Sequence, residues 1–346
     1  MKIAIIGAGA VGGLVGARLA LAGQQVTFIA RGANLDAIRR NGMKLIMGDG
    51  TEQVAGNVVA TSDYAAAGAQ DVVILALKAH QVEAVAGDVP RLFGPDTMVI
   101  TMQNGIPYWY FHRHGGELEG TRVRSVDPRG VIGECIPAER VIGCVVYPAS
   151  ELVAPGVVRH IEGNRFPLGE LDGSTTERVT RASQCLIDAG FKAPVLDDIR
   201  AEIWLKLWGN LTFNPISALS RATLVDICRF PATRALAAEM MREAQAVAAK
   251  LGVGFRVTLE QRIAGAEKVG KHKTSMLQDV EAGRAPEVDA LVGSVVELGR
   301  LTHTPTPHIE AVHALVTLLA REIAPPNEPA RPAGDAAPEA VAALTA

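Results

Sequence analysis

Gly7-Ala8-Gly9-Ala10-Val11-Gly12 limits what this chain can become more than any other stretch. As a bare G-x-G-x-x-G it is a weak signal in a chain with 35 glycines. Its surroundings make it a strong one. The apolar run 2–6 leads straight into it, and 11–22 continues at helical spacing with Gly23 as the stop. In such a strand–loop–helix each glycine has its own task. Gly7 permits the tight turn, Gly9 lets a pyrophosphate approach the backbone, and Gly12 lets the helix pack closely on the strand. Ala10 and Val11 belong to the same helix opening, whose unpaired N–H groups and positive dipole end attract phosphate. The loop predicts a dinucleotide site.

The rest of the N-terminal half fits that reading. Segments 25–30, 71–77 and 98–102 are further short apolar runs, continuous rather than alternating, as in strands buried on both faces of a parallel sheet. The expected fold is α/β, with an N-terminal Rossmann-type doubly wound domain. Runs at 141–146, 156–161 and 165–168 read as strands finishing that sheet, followed by a helix near 175–189. From Ile199 onward strand signals nearly vanish and helices dominate, at 199–213, 232–251, 258–268 and 287–301. The expected organisation is a nucleotide-binding domain over 1–195, an all-α domain over 196–323, and a disordered tail over 324–346. That tail holds five prolines and nine alanines, from which no core can be built.

Composition removes several function classes. Lys and Arg total 34 against 37 for Asp and Glu, without the basic excess that phosphate neutralisation needs, so no nucleic-acid partner is expected. Cys135, Cys144, Cys185 and Cys228 form no C-x-x-C pair and no zinc-spaced cluster, and read as buried thiols in a reducing compartment. No apolar stretch has the length of a signal peptide core or a membrane span, so a cytoplasmic protein without a membrane partner is expected. The helical part carries apolar surface enough for a homodimer contact. His112 and His114, an i, i+2 pair in a loop, read as solvated or lid residues, and no metal is expected.

The end of the second strand bears on which dinucleotide is bound. An NAD site places Asp or Glu there to accept from the ribose 2′-hydroxyl. This chain has Ala30-Arg31-Gly32, with no carboxylate between the loop and Asp36. Arg31 offers a fork of donors to a 2′-phosphate, which favours NADP(H).

The most informative stretch runs from Ile203 to Pro215. Lys206, Asn210 and Asn214 fall about 40° apart in succession on one narrow helical stripe. A polar stripe is ordinarily the wet face of a surface helix, but here apolar residues surround the axis. A helix apolar all round is buried, so the stripe is expected to face an internal cleft. A lysine withdrawn from water is costly and easily shifted in pKa, which suits proton transfer. Pro215 leaves the carbonyl of Leu211 without its helical partner and predicts a kink. Lys78 and Asn104-Gly105 follow the apolar runs 71–77 and 98–102, at strand carboxyl ends where doubly wound sheets bind ligands. Taken singly, Lys78 reads equally as a surface lysine and Asn104-Gly105 as a plain turn. Ser275 with Gln278 fits a capping box, and Pro286-Glu287 a first helical turn.

Together these segments resemble the ketopantoate reductase (2-dehydropantoate 2-reductase) family, from Met1 to about Ile323. The resemblance rests on Lys78, Asn104-Gly105, Lys206-x3-Asn210-x3-Asn214-Pro215, the run from Ser275 to Asp279, and Glu287. It implies a helical second domain similar to that of 6-phosphogluconate dehydrogenase, an active site between the domains, and NADPH as cofactor. It implies further that Lys206 is catalytic and Glu287 the second important charged group. Asn210, Asn214 and Ser275 would touch the substrate, a small 2-oxo acid, with Lys78 and Asn104 near the cofactor and the reacting carbon. The implied reaction is reduction of a C2 ketone to the alcohol, that of ketopantoate to pantoate in pantothenate biosynthesis, with Lys206 as proton donor. The aromatic stretch 106–128 looks longer than in compact members and is placed to reshape or cover the pocket. Two rivals stand beside this reading: a reductase of another 2-oxo acid, and a non-catalytic NADP(H) sensor.

Overall fold

The computed structural model of the chain describes residues 1–323; the expected tail, 324–346, lies outside the described residues. In chain order the strands are β1 (Lys2–Ile6), β2 (Gln25–Ile29), β3 (Met43–Ile46), β4 (Glu52–Ala55), β5 (Val59–Thr61), β6 (Gln70–Leu75), β7 (Phe93–Thr101), β8 (Val141–Cys144), β9 (Ala149–Ala154), β10 (Val157–Glu162) and β11 (Leu168–Gly169). The principal sheet has the order β11-β8-β7-β6-β1-β2-β5 and is parallel except where β11 meets β8. The order reverses at β1, which opens a crevice at the carboxyl ends of β1 and β6. Both faces of β1 are covered: Ile3 and Ile5 enter one core, Ala4 and Ile6 the other.

The N-terminal helices are α1 (Ala10–Leu21), α2 (Gly32–Asn41), α3 (Tyr64–Ala67), α4 (Ala79–Ala86), α5 (Val131–Cys135) and α6 (Glu177–Asp188). Helix α1 lies between the principal sheet and a second sheet of order β4-β3-β10-β9. Its glycines make both contacts possible. A Cβ on Gly16 would fall 2.5 Å from the Phe28 ring, and one on Gly13 would fall 2.6 Å from Val158. The segment 156–161, expected to finish the main sheet, belongs to this second sheet instead. Arg159, His160 and Ile161 of β10 are partly or fully exposed, which suits a small outer sheet.

The C-terminal domain is helical: α7 (Ile199–Ser220), α8 (Leu224–Arg229), α9 (Pro231–Lys250), α10 (Leu259–Val269), α11 (Ser275–Glu281), a π-turn (Asp289–Gly293) running into α12 (Ser294–Leu301), and α13 (Pro307–Ile323). Helix α7 passes through Pro215 and ends seven residues beyond Phe213, capped by Arg221 in left-handed conformation at φ +63°. The loss of one backbone bond at Pro215 is outweighed by burial, for the helix is apolar on nearly every side. Trp204 and Trp208 are fully buried, their indole N–H groups donating to Tyr110 Oη (2.7 Å) and the Met241 carbonyl (2.8 Å). One hydrophobic core runs unbroken from Ala4, Ile6 and Leu75 of the sheet through these tryptophans into α9 and α13.

The aromatic stretch 106–128 is part of that core, with Trp109, Tyr110 and Phe111 buried. Arg200 of α7 pins it by donating to the carbonyls of Tyr110, His112 and Leu171. Its aromatic side chains weld the two domains together, so this stretch is a fixed wall and the lid reading is set aside. Among the described residues no helix is long and apolar enough to cross a membrane.

Candidate active site

The site begins with backbone. At the end of β1, Gly7 has φ +98°, where L side chains are strained, and a Cβ there would also lie 2.7 Å from Leu77. Gly12 packs harder still, since its Cβ would meet the Gly7 carbonyl oxygen at 1.9 Å. Gly9, by contrast, faces open space, so nothing in the protein itself demands glycine there. Gly9 is also the N-cap of α1, and among the described residues no side chain caps that helix. The first-turn N–H groups of Ala10, Val11 and Gly12 are therefore free for a ligand. Asn34 braces the loop, donating to the Ala8 carbonyl (2.5 Å) and accepting from Gly156 N (2.7 Å). Arg31, just after β2, is exposed; among the described residues its side chain makes no hydrogen bond or ion pair, and its charge is felt by Tyr64. An open glycine face and an uncapped helix start together fit the diphosphate of a dinucleotide.

Next come the side chains at the carboxyl ends of β6 and β7. Lys78 opens α4 and pairs with Asp279 of α11 at 2.6 Å, so it ties the two domains and is not a free surface lysine. Asn104 is aimed by Gly105, whose φ is +90° and whose Cβ would lie 2.0 Å from the Ala290 carbonyl oxygen. Ile106 N donates to that same oxygen at 3.0 Å, locking the turn onto the π-turn of the helical domain. Asn104-Gly105 is thus a turn with a task.

The stripe on α7 faces this point. Lys206 Nζ donates to Asn104 Oδ1 at 2.6 Å and to the carbonyl oxygen of Val146, and lies 5.9 Å from the Tyr147 ring centroid. On the other side of the same amide, Asn104 Nδ2 donates to Glu287 Oε2 at 3.4 Å, while Glu287 Oε1 accepts from Ala79 N at 2.9 Å. Glu287 precedes the π-turn and caps α4 of the other domain; it does not sit in a first helical turn of its own. Burial pulls the Lys206 ammonium down to about 8, with the Glu287 carboxylate opposing that fall. Burial pushes the Glu287 carboxyl up, against the Ala79 N–H and the Lys78 charge. The two groups end with closer affinities for a proton than free side chains have, linked through one amide.

Thr101, Asn104, Pro107, Cys144, Lys206 and Asn210 line a recess between the domains. Asn214 is buried one turn beyond Asn210, and neither amide bonds to another described residue. Ser275 stands apart: it is exposed at the start of α11, where Thr274 rather than Ser275 makes the cap by accepting from Leu277 N. Gln103, Tyr147 and Glu202 were not singled out from sequence. Gln103 Nε2 ties the β6 end through the Leu75 and Leu77 carbonyls (2.8 and 3.0 Å), and Tyr147 Oη donates to Glu202 Oε1 at 2.8 Å. An i, i+4 relation between Glu202 and Lys206 was the available signal.

The sequence pattern described as "Ketopantoate reductase PanE/ApbA" matches residues 3–173, and "Ketopantoate reductase PanE/ApbA C terminal" matches 198–320. A 2-dehydropantoate 2-reductase of Mesorhizobium japonicum is 56% identical over 323 residues, covering 93% of this chain and 98% of that protein. The 2-dehydropantoate 2-reductase of Archaeoglobus fulgidus is 31% identical over 86% of this chain and 90% of its own length. Among solved structures, a putative ketopantoate reductase from Ralstonia solanacearum superposes with a TM-score of 0.89 at 43% identity, covering 93% of this chain and 98% of that one. With both halves of the chain matched and the fold shared throughout, the chain belongs to the ketopantoate reductase family.

Proposed function

We propose that the protein reduces 2-dehydropantoate to pantoate with NADPH, Lys206 acting as the general acid. The observation that carries this reading is the Lys206–Asn104–Glu287 chain in the recess between the domains. A reduced nicotinamide supplies the hydride. The glycine loop would hold the diphosphate on the free N–H groups of Ala10, Val11 and Gly12, and Arg31 the 2′-phosphate. Residues 1–195 would form the cofactor half and 196–323 the substrate half.

Lys206 does the proton work. An ammonium has three N–H donors. Asn104 Oδ1 and the Val146 carbonyl take two of them. The third remains for the substrate's C2 carbonyl oxygen. As negative charge develops on that oxygen, Lys206 stabilises it and transfers the proton; a pKa near neutrality suits both tasks. Glu287 keeps the amide oriented and its negative charge keeps Lys206 cationic. Asn210 and Asn214, with unfilled amides, would bind the substrate's hydroxyl and carboxylate oxygens. Ser275 shares a face of α11 with Asp279, the partner of Lys78, and would meet the substrate at the rim.

The test is purified protein with NADPH and a panel of 2-oxo acids, followed at the nicotinamide absorbance. Ketopantoate turning over fastest supports the proposal. Preference for another 2-oxo acid replaces the substrate, and no turnover of any acid replaces the enzyme with a sensor.

A further inference from the structure

The loop after β8 touches Lys206 twice. Val146 supplies the carbonyl that accepts from Nζ, and the ring of the next residue, Tyr147, has its centroid 5.9 Å from Nζ. The loop itself is held by backbone: Val145 N donates to the Pro167 carbonyl at 3.0 Å, and Tyr147 N to the Arg165 carbonyl at 3.2 Å. Its link to α7 is made by side chains. Tyr147 Oη donates to Glu202 Oε1 at 2.8 Å, and Arg165 donates to the same oxygen. Glu202 lies one turn before Lys206 on α7, so this clasp sets where Lys206 stands relative to the Val146 carbonyl.

Glu202 is 1% exposed, and a carboxylate that deep needs partners. Arg165 and Arg256 compensate its charge, Arg256 at 2.9 Å from Oε2, and the phenol uses a further lone pair. Burial, and after it the Glu202 carboxylate, push the Tyr147 phenol above its ordinary range. The phenol therefore keeps its proton, which serves the clasp and not the chemistry. The ring has two cations within cation–π range, Lys206 Nζ and Arg165 Cζ, the latter 5.2 Å from the centroid. Tyr147 is 37% exposed, so the residue that reaches Lys206 also borders solvent.

We propose that Tyr147 is a positioning residue: clasped to Glu202, its ring keeps Lys206 Nζ against the Val146 carbonyl and shields the ammonium from solvent. This rests on the reductase reading above, in which Lys206 donates the proton. The titratable groups that act on Lys206 are Glu287 and Cys144, with Lys78 and Asp279 acting on Glu287 in turn. Beyond the ring stand Glu202 and Arg165. Substituting Tyr147 leaves all of these charges in place, so a change at Lys206 reports on the ring. Water solvates an ammonium better than an aromatic face does, so opening this side should strengthen the hold of Lys206 on its proton.

The experiment compares wild type with Tyr147→Phe, Tyr147→Leu and Tyr147→Ala in the full chain. Acetylation of Lys206 by acetic anhydride, read on its peptide by mass spectrometry across pH, follows the free amine and needs no turnover. Tyr147→Ala should move the midpoint up by about one pH unit, and Tyr147→Phe, which keeps the ring, by less than about 0.3. Tyr147→Leu fills more of the space than alanine and should fall between. With NADPH and the 2-oxo acid, Tyr147→Ala should lower kcat about tenfold at pH 7 with KM within about threefold. The alkaline limb of reductive kcat/KM should move with the acetylation midpoint. A midpoint that falls, or stays within about 0.3 of wild type in both Tyr147→Ala and Tyr147→Leu, overturns the inference even where kcat drops, for that is the pattern of a structural tyrosine. If wild type turns over no 2-oxo acid but the midpoint moves as described, the positioning role stands and the reductase reading falls. An unmoved midpoint with turnover in wild type removes the positioning role alone, and neither shift nor turnover removes both.

Discussion

The two walls proposed above to hold cofactor and substrate differ in what they offer a ligand. The glycine loop offers backbone: N–H groups at a helix start, exposed because Gly7 can turn at positive φ and Gly12 leaves no gap between helix and strand. The facing wall, α7, offers side chains: a lysine and two amides on a helix otherwise committed to the core. A backbone site is specified by where side chains are missing, and a side-chain site by which polar groups burial tolerates. Substitutions should therefore act through shape on the first wall and through charge on the second.

The sharpest test of that contrast is on α7. Lys206→Ala should lower kcat/KM by about 10³-fold while NADPH binding, read by nucleotide fluorescence, stays within about twofold of wild type. Near-normal turnover would remove Lys206 from the chemistry. Next is the loop. Gly12→Ala should destabilise the fold by about 2–3 kcal/mol, because the added carbon collides with the Gly7 backbone. Gly9→Ala should leave thermal stability alone and weaken NADPH binding about tenfold, because its carbon enters only the open space offered to a ligand. Equal losses of stability in the two would erase the distinction between packing glycine and ligand glycine.

Two smaller effects sharpen it further. Arg31→Glu should shift the NADPH-to-NADH preference about 30-fold toward NADH, by removing a phosphate donor and adding an acceptor for the 2′-hydroxyl. An unchanged preference would place the 2′-phosphate elsewhere. The pH profile reports on the charged wall. The folded pKa of Lys206 is depressed to about 8, so the ammonium needed for reduction is lost as pH rises through that value. Reductive kcat/KM should fall about tenfold per pH unit above it, while oxidation of the alcohol, which uses the free amine, should rise. A flat profile from pH 7 to 10 would show that the lysine proton is not transferred in the rate-determining step.

Some of this site was legible early for a physical reason. The Lys206 stripe stood out because Trp204, Leu207, Trp208 and Leu211 left no wet face for it to occupy. The glycine loop stood out because strand, turn and helix chemistry coincide within a dozen residues. Other features had no local mark. Glu287 reads locally as a helix start, and only the packing of the π-turn against the Gly105-Ile106 turn brings it to Asn104 and the start of α4. The second sheet was missed because β3 and β10 are short and pair in parallel across a long separation in sequence. The aromatic stretch left two readings open, reshaping the pocket or covering it, because runs of aromatics carry no sign of which side they face. Arg200 and Trp204 turn Tyr110 inward, and Pro107 and Trp109 line the recess.

Local chemistry along the chain was enough to determine the α/β-then-helical order, the dinucleotide loop and the lysine on an apolar helix. Each of these depends on residues within one or two turns of one another. Tertiary structure alone decided that one amide, Asn104, joins Lys206 to Glu287, and that Glu202 clasps Tyr147 beside Lys206. Those relations join separate elements, and their energy comes from groups withdrawn from water together, which appears only when the chain has closed around them.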